Sequence, residues 1–216
     1  NSVVIMAGGF GKRLRPLTNK VPKPLLKVGG KTILRRITDK FSNEGFNNFV
    51  ISVGYLSKKI INYYKKEDKS INPQFINEEI PLGTAGPLIS LLNFSDIVYP
   101  IVVTNGDIIC DEYIWPILEL AEKNNIDGIM LCREEFNNVP YGVVEIDQDS
   151  NFLSITEKPQ YKYLVNGGIY ILSSKVISLI KKDENIDMPA LFLRAKLKKY
   201  KIKVFNLKGY WIDIGQ

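Results

Sequence analysis

Histidine is absent from the 216 residues of this sequence. Its absence excludes hydrolases with a Ser-His-Asp triad, zinc sites with histidine ligands and proton transfer through imidazole. The two cysteines, Cys110 and Cys132, have neither the CxxC spacing of a zinc or redox site nor the density of a secreted disulfide scaffold. We therefore expect a cytoplasmic protein whose chemistry uses carboxylates, amines, backbone amides or a metal.

Long hydrophobic runs are also missing. The apolar stretch 3–7 is far shorter than the ~20 residues that a membrane-spanning helix needs, so we predict no span and no membrane partner. The same stretch leads directly into glycines instead of a cleavage site, which argues against a secretory signal. Because the sequence does not begin with Met, flanking segments of a longer protein stay an open alternative.

The composition indicates a folded and moderately basic protein. Hydrophobic residues make up 45% of the chain, which is enough to form a core, and the fraction of charged residues, 24%, is ordinary for a folded protein. Disorder is therefore not expected. The net charge of +6 raises nucleic-acid binding as an alternative. However, the positive residues are spread along the chain and no RNP, KH or zinc motif is present, so we do not expect a nucleic-acid partner.

Short β-branched runs alternate with helical patterns up to about Cys132. The predicted strands are 2–7, 49–53, 74–77, 99–104 and 128–132, and the predicted helices are 33–41, 58–66, 84–92 and 114–123. This alternation predicts an α/β fold, with a mostly parallel mixed sheet flanked by helices in three layers. The later pieces read as hairpin strands at 142–146, 152–157 and 165–172 and helices at 176–181 and 190–197. We expect one domain over residues 1–216.

The most informative segment is the glycine-rich loop after the first strand, AGGFGKRLRPLTNKVPKPLL at 7–26. Its glycines, Gly8, Gly9 and Gly11, would let backbone amides approach phosphate oxygens that a Cβ would hold away. Arginines and lysines around the same turn can grip phosphates. A polyphosphate ligand is the prediction, and a solvated surface turn is the alternative. The basic residues are Lys12, Arg13, Arg15, Lys20 and Lys23.

Two common phosphate loops do not match these residues. A Walker A loop ending at Lys12 would need Gly at position 6 and Ser or Thr at 13, where the chain has Met6 and Arg13. A dinucleotide GxGxxG beginning at Gly9 would need Gly at position 14, where the chain has Leu14. The loop therefore belongs to neither class.

Two aspartates are candidate ligands for a cation. Asp107 follows an apolar strand, which places it at the carboxyl edge of the sheet where ligands of open α/β folds bind; a helix N-cap is the alternative. Asp213 is flanked by apolar residues in WIDIG, where a charge is costly unless a cation shares the site; a loop acid is the alternative.

The run GGFGKRLRPLTNKVPKPLLKVGGKTIL closely resembles the signature of the sugar-1-phosphate nucleotidyltransferases, the NDP-sugar pyrophosphorylases. Thr32 departs from the proline that is usual in the family, at a helix-start position where either residue is tolerable. The likeness is greatest to the mannose-1-phosphate guanylyltransferase branch, which includes enzymes of the GDP-amino-sugar (legionaminic acid) type. It implies the Rossmann-like nucleotide-diphospho-sugar transferase fold, with a nucleotide-binding half at 1–111 and a sugar-phosphate-binding half at 112–216.

The resemblance implies a reaction in which an NTP, with GTP the expected one, reacts with a sugar 1-phosphate to give an NDP-sugar and pyrophosphate. Arg13 and Lys23 match the catalytic basic pair of the family, and Asp107 and Asp213 match the residues that hold Mg²⁺, with Asp107 also catalytic. Glu79 is the expected reader of guanine, although a plain surface charge is equally open. The other implied nucleotide contacts are Ala7, Gly8, Gly9, Gly11, Lys12, Leu82, Gly83 and Thr84, with Thr84 expected to open a helix.

Three later motifs, YGV, EKP and VNGGIY, resemble the sugar-contacting motifs of the family. The implied sugar-phosphate contacts are Tyr141, Gly142, Glu157, Lys158 and Asn166. The sugar stays open among glucosamine, mannose, glucose and heptose 1-phosphates, as does the base among GTP, CTP and UTP. A catalytically silent binding module of the same fold is the alternative function, and a homo-oligomer and a fused CBS-type module are further alternatives.

Overall fold

A central mixed β-sheet organises the structure, a computed structural model that describes residues 1–215. The strands are β1 (Ser2–Ala7), β2 (Lys27–Val28), β3 (Lys31–Thr32), β4 (Asn48–Val53), β5 (Gln74–Asn77), β6 (Ile101–Asn105), β7 (Ile108–Cys110), β8 (Gly128–Asn138), β9 (Val143–Ile146), β10 (Phe152–Thr156), β11 (Gln160–Leu172), β12 (Ile202–Asn206) and β13 (Trp211–Asp213). The α-helices are α1 (Ile33–Asn43), α2 (Ser57–Asn62), α3 (Trp115–Lys123), α4 (Ser174–Ile177) and α5 (Met188–Leu197).

The main sheet has seven strands in the order β12-β8-β11-β6-β1-β4-β5. Strand β1 pairs in parallel with β4 and β6, and β4 in parallel with β5. Strand β11 is antiparallel to both β6 and β8, and β12 is parallel to β8. The predicted mostly parallel mixed sheet is therefore confirmed.

Helices cover both faces of this sheet. The alternating side chains of β1 separate two cores: Val3 and Ile5 pack with α1, α2 and α3, whereas Val4 packs with α4, α5 and the 3-10 helix Gly86–Asn93. Each fully buried Val, Leu or Ile side chain contributes roughly 1.5–3 kcal/mol to folding. Because β1 is buried on both faces, its sequence is an unbroken apolar run. The result is the predicted three-layer arrangement.

Most predicted elements occur, with shifted ends. Helix α1 begins as expected after Thr32, whose hydroxyl oxygen accepts the amide of Arg35 at 3.1 Å and caps the helix. The helix predicted at 84–92 is instead the 3-10 helix Gly86–Asn93. The helix predicted at 58–66 ends as an α-helix at Asn62 and continues as one π-helical stretch, Tyr63–Glu67. Within residues 1–215, no helix has the length and apolar character to span a membrane.

A long two-stranded ribbon extends beyond the main sheet. Strand β6 pairs with β11 only at 169–172, and β12 pairs with β8 only at 128–132. The outer parts of β8 and β11 continue together, joined by hydrogen bonds from Val139 N to Pro159 O and from Lys158 N to Tyr141 O, into the β9–β10 hairpin. We name residues 134–165 the β-arm.

Candidate active site

An open cavity of about 470 Å³ lies at the carboxyl ends of β1 and β6. This edge is where ligands bind in open α/β sheets. Its wall combines the glycine-rich loop, the residues that follow β5 and β6, and the last described residue of the chain. The lining residues are Met6, Ala7, Gly8, Gly9, Phe10, Gly11, Lys12, Arg13, Leu14, Lys23, Pro24, Glu78, Pro81, Gly83, Thr84, Asn105, Gly106, Asp107 and Gly215.

The glycine-rich loop is held in one conformation by its neighbours. Gly11 has φ +60°, and its carbonyl accepts the hydroxyl of the buried Thr18 at 2.8 Å. A Cβ at Gly8 would lie 2.9 Å from the carboxyl carbon of Glu78, so a larger residue here would displace this carboxylate from its hydrogen bond with Ser52. The loop therefore presents bare backbone to the cavity. Lys12 and Arg13, in the 3-10 turn Lys12–Leu14, remain exposed at its rim.

The two candidate ligand aspartates lie on either side of one buried ammonium. Lys23, which is 9% exposed, donates a hydrogen bond to Asp107 Oδ2, and its Nζ lies 3.7 Å from Asp213 Oδ1. Gly215 N donates to the same Asp213 oxygen at 2.6 Å. The Arg13 guanidinium lies close by, because a Cβ on Gly215 would be 3.2 Å from Arg13 Nη2 and 2.8 Å from Asp213 Oδ1. Two cations and two carboxylates therefore meet at this edge of the cavity.

A short ladder between β7 and β13 brings these residues together from distant parts of the chain. In its register Asp213 faces Ile108, and Ile214 N donates to Asp107 O at 3.0 Å. Asp107 occupies the turn between β6 and β7, so the alternative of a helix N-cap is wrong. Neither short strand was predicted, because three residues show no periodicity.

The donor chemistry of the aspartate pair fits Mg²⁺. Carboxylate oxygens are its preferred protein ligands, and it usually keeps several positions for water and phosphate oxygens. Within residues 1–215, no group of three or more His, Cys, Asp or Glu side chains is arranged to hold a metal. Asp107 and Asp213 could hold the ion as a pair, beside Lys23 and the cavity.

Glu78, and not the predicted Glu79, lies in the cavity wall. Ser52 is fully buried, and its hydroxyl donates to Glu78 Oε1 at 2.7 Å. Burial raises the pKa of Glu78, and hydrogen bonds from Ser52 and the Leu82 amide act in the opposite direction. Glu79 is exposed. The end of β5 at Asn77 was the signal that could have identified Glu78, the first residue beyond the strand.

The loop 82–86 is hydrogen-bonded to the segment that precedes α5. Ile186 N donates to Leu82 O at 3.0 Å, so the predicted contact Leu82 lies behind the cavity wall, while Gly83 and Thr84 line it. Thr84 was expected to be the first residue of a helix, but the 3-10 helix begins two residues later, at Gly86. The Thr84 hydroxyl accepts Met188 N at 2.8 Å, and the Thr84 amide donates to Asp187 Oδ1 at 2.9 Å. The sequence did not indicate Asp187.

The predicted sugar contacts lie outside the cavity wall. Tyr141, Gly142, Glu157 and Lys158 are at the middle of the β-arm, where Lys158 N donates to Tyr141 O at 3.2 Å. Asn166 lies at the base of the β-arm; its Oδ1 accepts Gly168 N at 3.0 Å and its Nδ2 donates to Tyr170 at 2.7 Å. A Cβ on Gly168 would lie 2.9 Å from Asn105 Nδ2, so the Asn166 turn adjoins a residue of the cavity.

Comparison with known proteins decides the family. Residues 2–216 match the family described as nucleotidyl transferase. The chain belongs to this family. The resemblance found in the sequence is thereby confirmed. Among solved structures, HddC from Yersinia pseudotuberculosis complexed with GMP-PN is 30% identical with a TM-score of 0.74, and the match covers 100% of this chain and 94% of that chain.

Other nucleotidyl transferase relatives are longer or more distant. The mannose-1-phosphate guanyltransferase of Yarrowia lipolytica is 35% identical in an alignment of 229 positions, gaps included, which covers 99% of this chain and 60% of that protein. The present chain thus spans about 60% of the length of such curated relatives. The UDP-glucose pyrophosphorylase from Acinetobacter baumanii has a TM-score of 0.75 at 16% identity, covering 100% of this chain and 89% of that one, which shows the shared fold alone.

Proposed function

We propose that this chain transfers a nucleotidyl group from an NTP, with GTP as the expected donor, to a sugar 1-phosphate. The sugar phosphate attacks the α-phosphorus of the NTP, pyrophosphate leaves, and an NDP-sugar forms. The observation that carries this proposal is the grouping of Lys23, Asp107 and Asp213 beside a loop of bare backbone amides. The printed names of the relatives, guanyltransferases of mannose 1-phosphate among them, support the choice of substrates.

The residues of this chain would position and stabilise charged reactants. The glycine loop offers amides to the triphosphate, and Arg13 and Lys23 offset the charge of the departing pyrophosphate. The attacking phosphate oxygen has a second pKa near ~6 and is largely ionised at neutral pH, so no general base is needed. Mg²⁺, when held by Asp107 and Asp213, would neutralise the repulsion between the two anionic substrates.

We assign guanine recognition to Glu78. An ionised carboxylate only accepts hydrogen bonds, and guanine presents adjacent N–H donors. Glu78 has its carboxylate in the cavity wall and is oriented by Ser52. The sugar-phosphate contacts are assigned to the β-arm residues Tyr141, Gly142, Glu157 and Lys158 and to Asn166, on the strength of their motifs.

A pyrophosphate-release screen tests the proposed function. The purified chain with Mg²⁺ would be assayed with four NTPs against hexose, hexosamine and heptose 1-phosphates, and we expect release with GTP and one sugar class. Asp107→Asn is the matched inactive control, because it keeps the side-chain shape and removes the charge beside Lys23. No release from any pair, together with retained nucleotide binding, would favour the silent binding module.

A further inference from the structure

The β-arm carries an apolar face with nothing packed on it among residues 1–215. Val144 pairs with Ile155 and Ile146 pairs with Phe152, so the four side chains share one side of the hairpin. They are 52%, 57%, 58% and 64% exposed, respectively. On the opposite side, which also carries Val143, Ser154 donates to Glu145 Oε2 at 2.9 Å.

Such a ribbon is not expected to be stable by itself. A two-stranded hairpin is marginally stable in water unless its apolar face packs on something else. Contiguous exposed apolar patches larger than a few hundred Å² are also rare in monomeric proteins and mark interaction sites. Apolar and polar residues alternate over 144–146 and 154–156, as in a half-buried strand, and a register shift between Phe152 and Ser154 interrupts this alternation at Leu153. The β-arm therefore requires a partner surface.

Charge identifies the chemistry of that surface. The β-arm, residues 134–165, has six acidic residues and only two basic ones, in a chain whose net charge is +6. The rest of the chain is correspondingly basic. Its most basic exposed stretch follows α5 and runs along β12, the edge strand of the main sheet. We name this stretch the lysine edge, and its lysines are Lys196, Lys198, Lys199, Lys201 and Lys203.

The lysine edge is apolar as well as basic. Leu197, between Lys196 and Lys198, is 84% exposed, and Val204, next to Lys203, is 56% exposed. Val204 also lines an open groove of about 340 Å³, together with Leu120 and Lys203. Lysines on an edge strand discourage the addition of a further strand, so a partner would contact this surface through side chains and not through the β12 backbone. The two surfaces are complementary in charge and in apolar character.

One molecule cannot bring its own two surfaces together. Lysine edge residues 202–203 pair with 128–129 of β8, at the opposite end of that strand from the β-arm. A strand rises about 3.3 Å per residue, so the start of β8 is separated from residue 144 by tens of ångströms. A second copy of the chain does not have this restriction.

We propose that the β-arm of one copy docks on the lysine edge of a second copy. Two such contacts related by a two-fold axis close a dimer without leaving either surface open. The docked β-arm carries Tyr141, Glu157 and Lys158, so the second copy would also steady the proposed sugar-phosphate contacts. This last consequence rests on the proposed function, whereas the assembly itself does not.

The first test measures assembly by sedimentation velocity over a range of protein and salt concentrations. We expect the wild type to sediment as a dimer of 24.5 kDa chains that weakens at high salt. Phe152→Asp on the β-arm and Lys203→Glu on the lysine edge should each weaken dimerisation at least tenfold. Val98→Asp is the matched control, because Val98 is 51% exposed outside both surfaces, and it should leave the dimer unchanged.

A second measurement links assembly to function. Both interface variants should raise KM for the sugar 1-phosphate severalfold while KM for GTP stays within about twofold of the wild type. A monomeric wild type at all concentrations, or a dimer insensitive to both variants, would overturn the proposal. Hydrogen exchange that shows a protected β-arm in a monomer would assign the apolar face to another segment of the same chain. If Phe152→Asp does not fold, Lys203→Glu still tests the proposed dimer, because it changes the lysine edge and leaves the β-arm intact.

Discussion

Ser52 donates a 2.7 Å hydrogen bond to Glu78, and this pair joins the buried strand β4 to the wall of the cavity. Ser52 is fully buried, and Glu78 N donates to Val53 O at 2.8 Å. The carboxylate is thus fixed by both its backbone and its side chain. A fixed acceptor discriminates between bases better than a mobile one, because less side-chain entropy is lost on binding.

Ser52→Ala should change the pH dependence of GTP binding. Burial raises the pKa of Glu78 and the Ser52 hydroxyl lowers it, so removing the hydroxyl raises this pKa further. The proposed contact with guanine requires the ionised carboxylate, so KM for GTP should rise as pH falls through the raised pKa. In the variant this rise should begin at higher pH. KM for GTP measured from about pH 5 to 8 checks this, and identical profiles for variant and wild type would contradict it.

Glu78→Gln should lower the preference for GTP over ATP about tenfold, because the amide offers a donor where guanine needs an acceptor. The neighbouring Glu79→Gln is a matched control, since Glu79 is exposed and outside the cavity wall. Burial raises the pKa of Glu78, so its ionised form costs stability above that pKa, and Glu78→Gln should not lower Tm at neutral pH. If Glu79→Gln lowered the preference for GTP over ATP and Glu78→Gln did not, guanine recognition would belong to Glu79, as the sequence predicted.

Lys23→Met should reduce kcat by about 10²–10³-fold and lower Tm, because two carboxylates then lie together without the ammonium between them. Added Mg²⁺ should recover a larger part of Tm in the variant than in the wild type, since the ion would replace the lost charge. Thermal shift with and without EDTA measures this. Lys58→Met, which changes an exposed lysine, is the control. An equal effect of Mg²⁺ on both proteins would argue against a cation site at the aspartates.

The sequence predicted the features that depend on local pattern. Strand β1 is an unbroken apolar run because both its faces are buried, and the glycine loop is recognisable because glycines and basic residues directly follow this strand. Strands β7 and β13 escaped prediction because each has three residues and forms only through its partner. Even so, the aspartates that these strands align were identified, through the family motif.

The features that depend on long-range contacts could not be predicted. Glu78 and Glu79 are adjacent and chemically identical, and only the pairing of β5 with β4 determines which of them faces Ser52. The link between Thr84 and Asp187 joins positions more than 100 residues apart, and neither residue belongs to a motif that names the other. Exposure of the apolar β-arm is likewise a property of the fold, because the same alternation is typical of a packed strand.

Asp187→Ala should loosen the loop that carries Gly83 and Thr84. Asp187 Oδ1 accepts the Thr84 amide at 2.9 Å and lies 3.2 Å from its hydroxyl oxygen, which in turn accepts Met188 N at the start of α5. Removing this acceptor leaves the Thr84 amide without its partner and costs about 1 kcal/mol, as loss of a helix cap does. We expect a lower Tm and a threefold to tenfold rise in KM for GTP, with kcat little changed, since in the proposed function this loop contributes to nucleotide binding and has no catalytic role. Asp187→Asn keeps an acceptor oxygen, so its Tm and its KM for GTP should be close to those of the wild type. If Asp187→Asn and Asp187→Ala changed Tm and KM equally, the charge of Asp187, and not its hydrogen bond, would hold the loop.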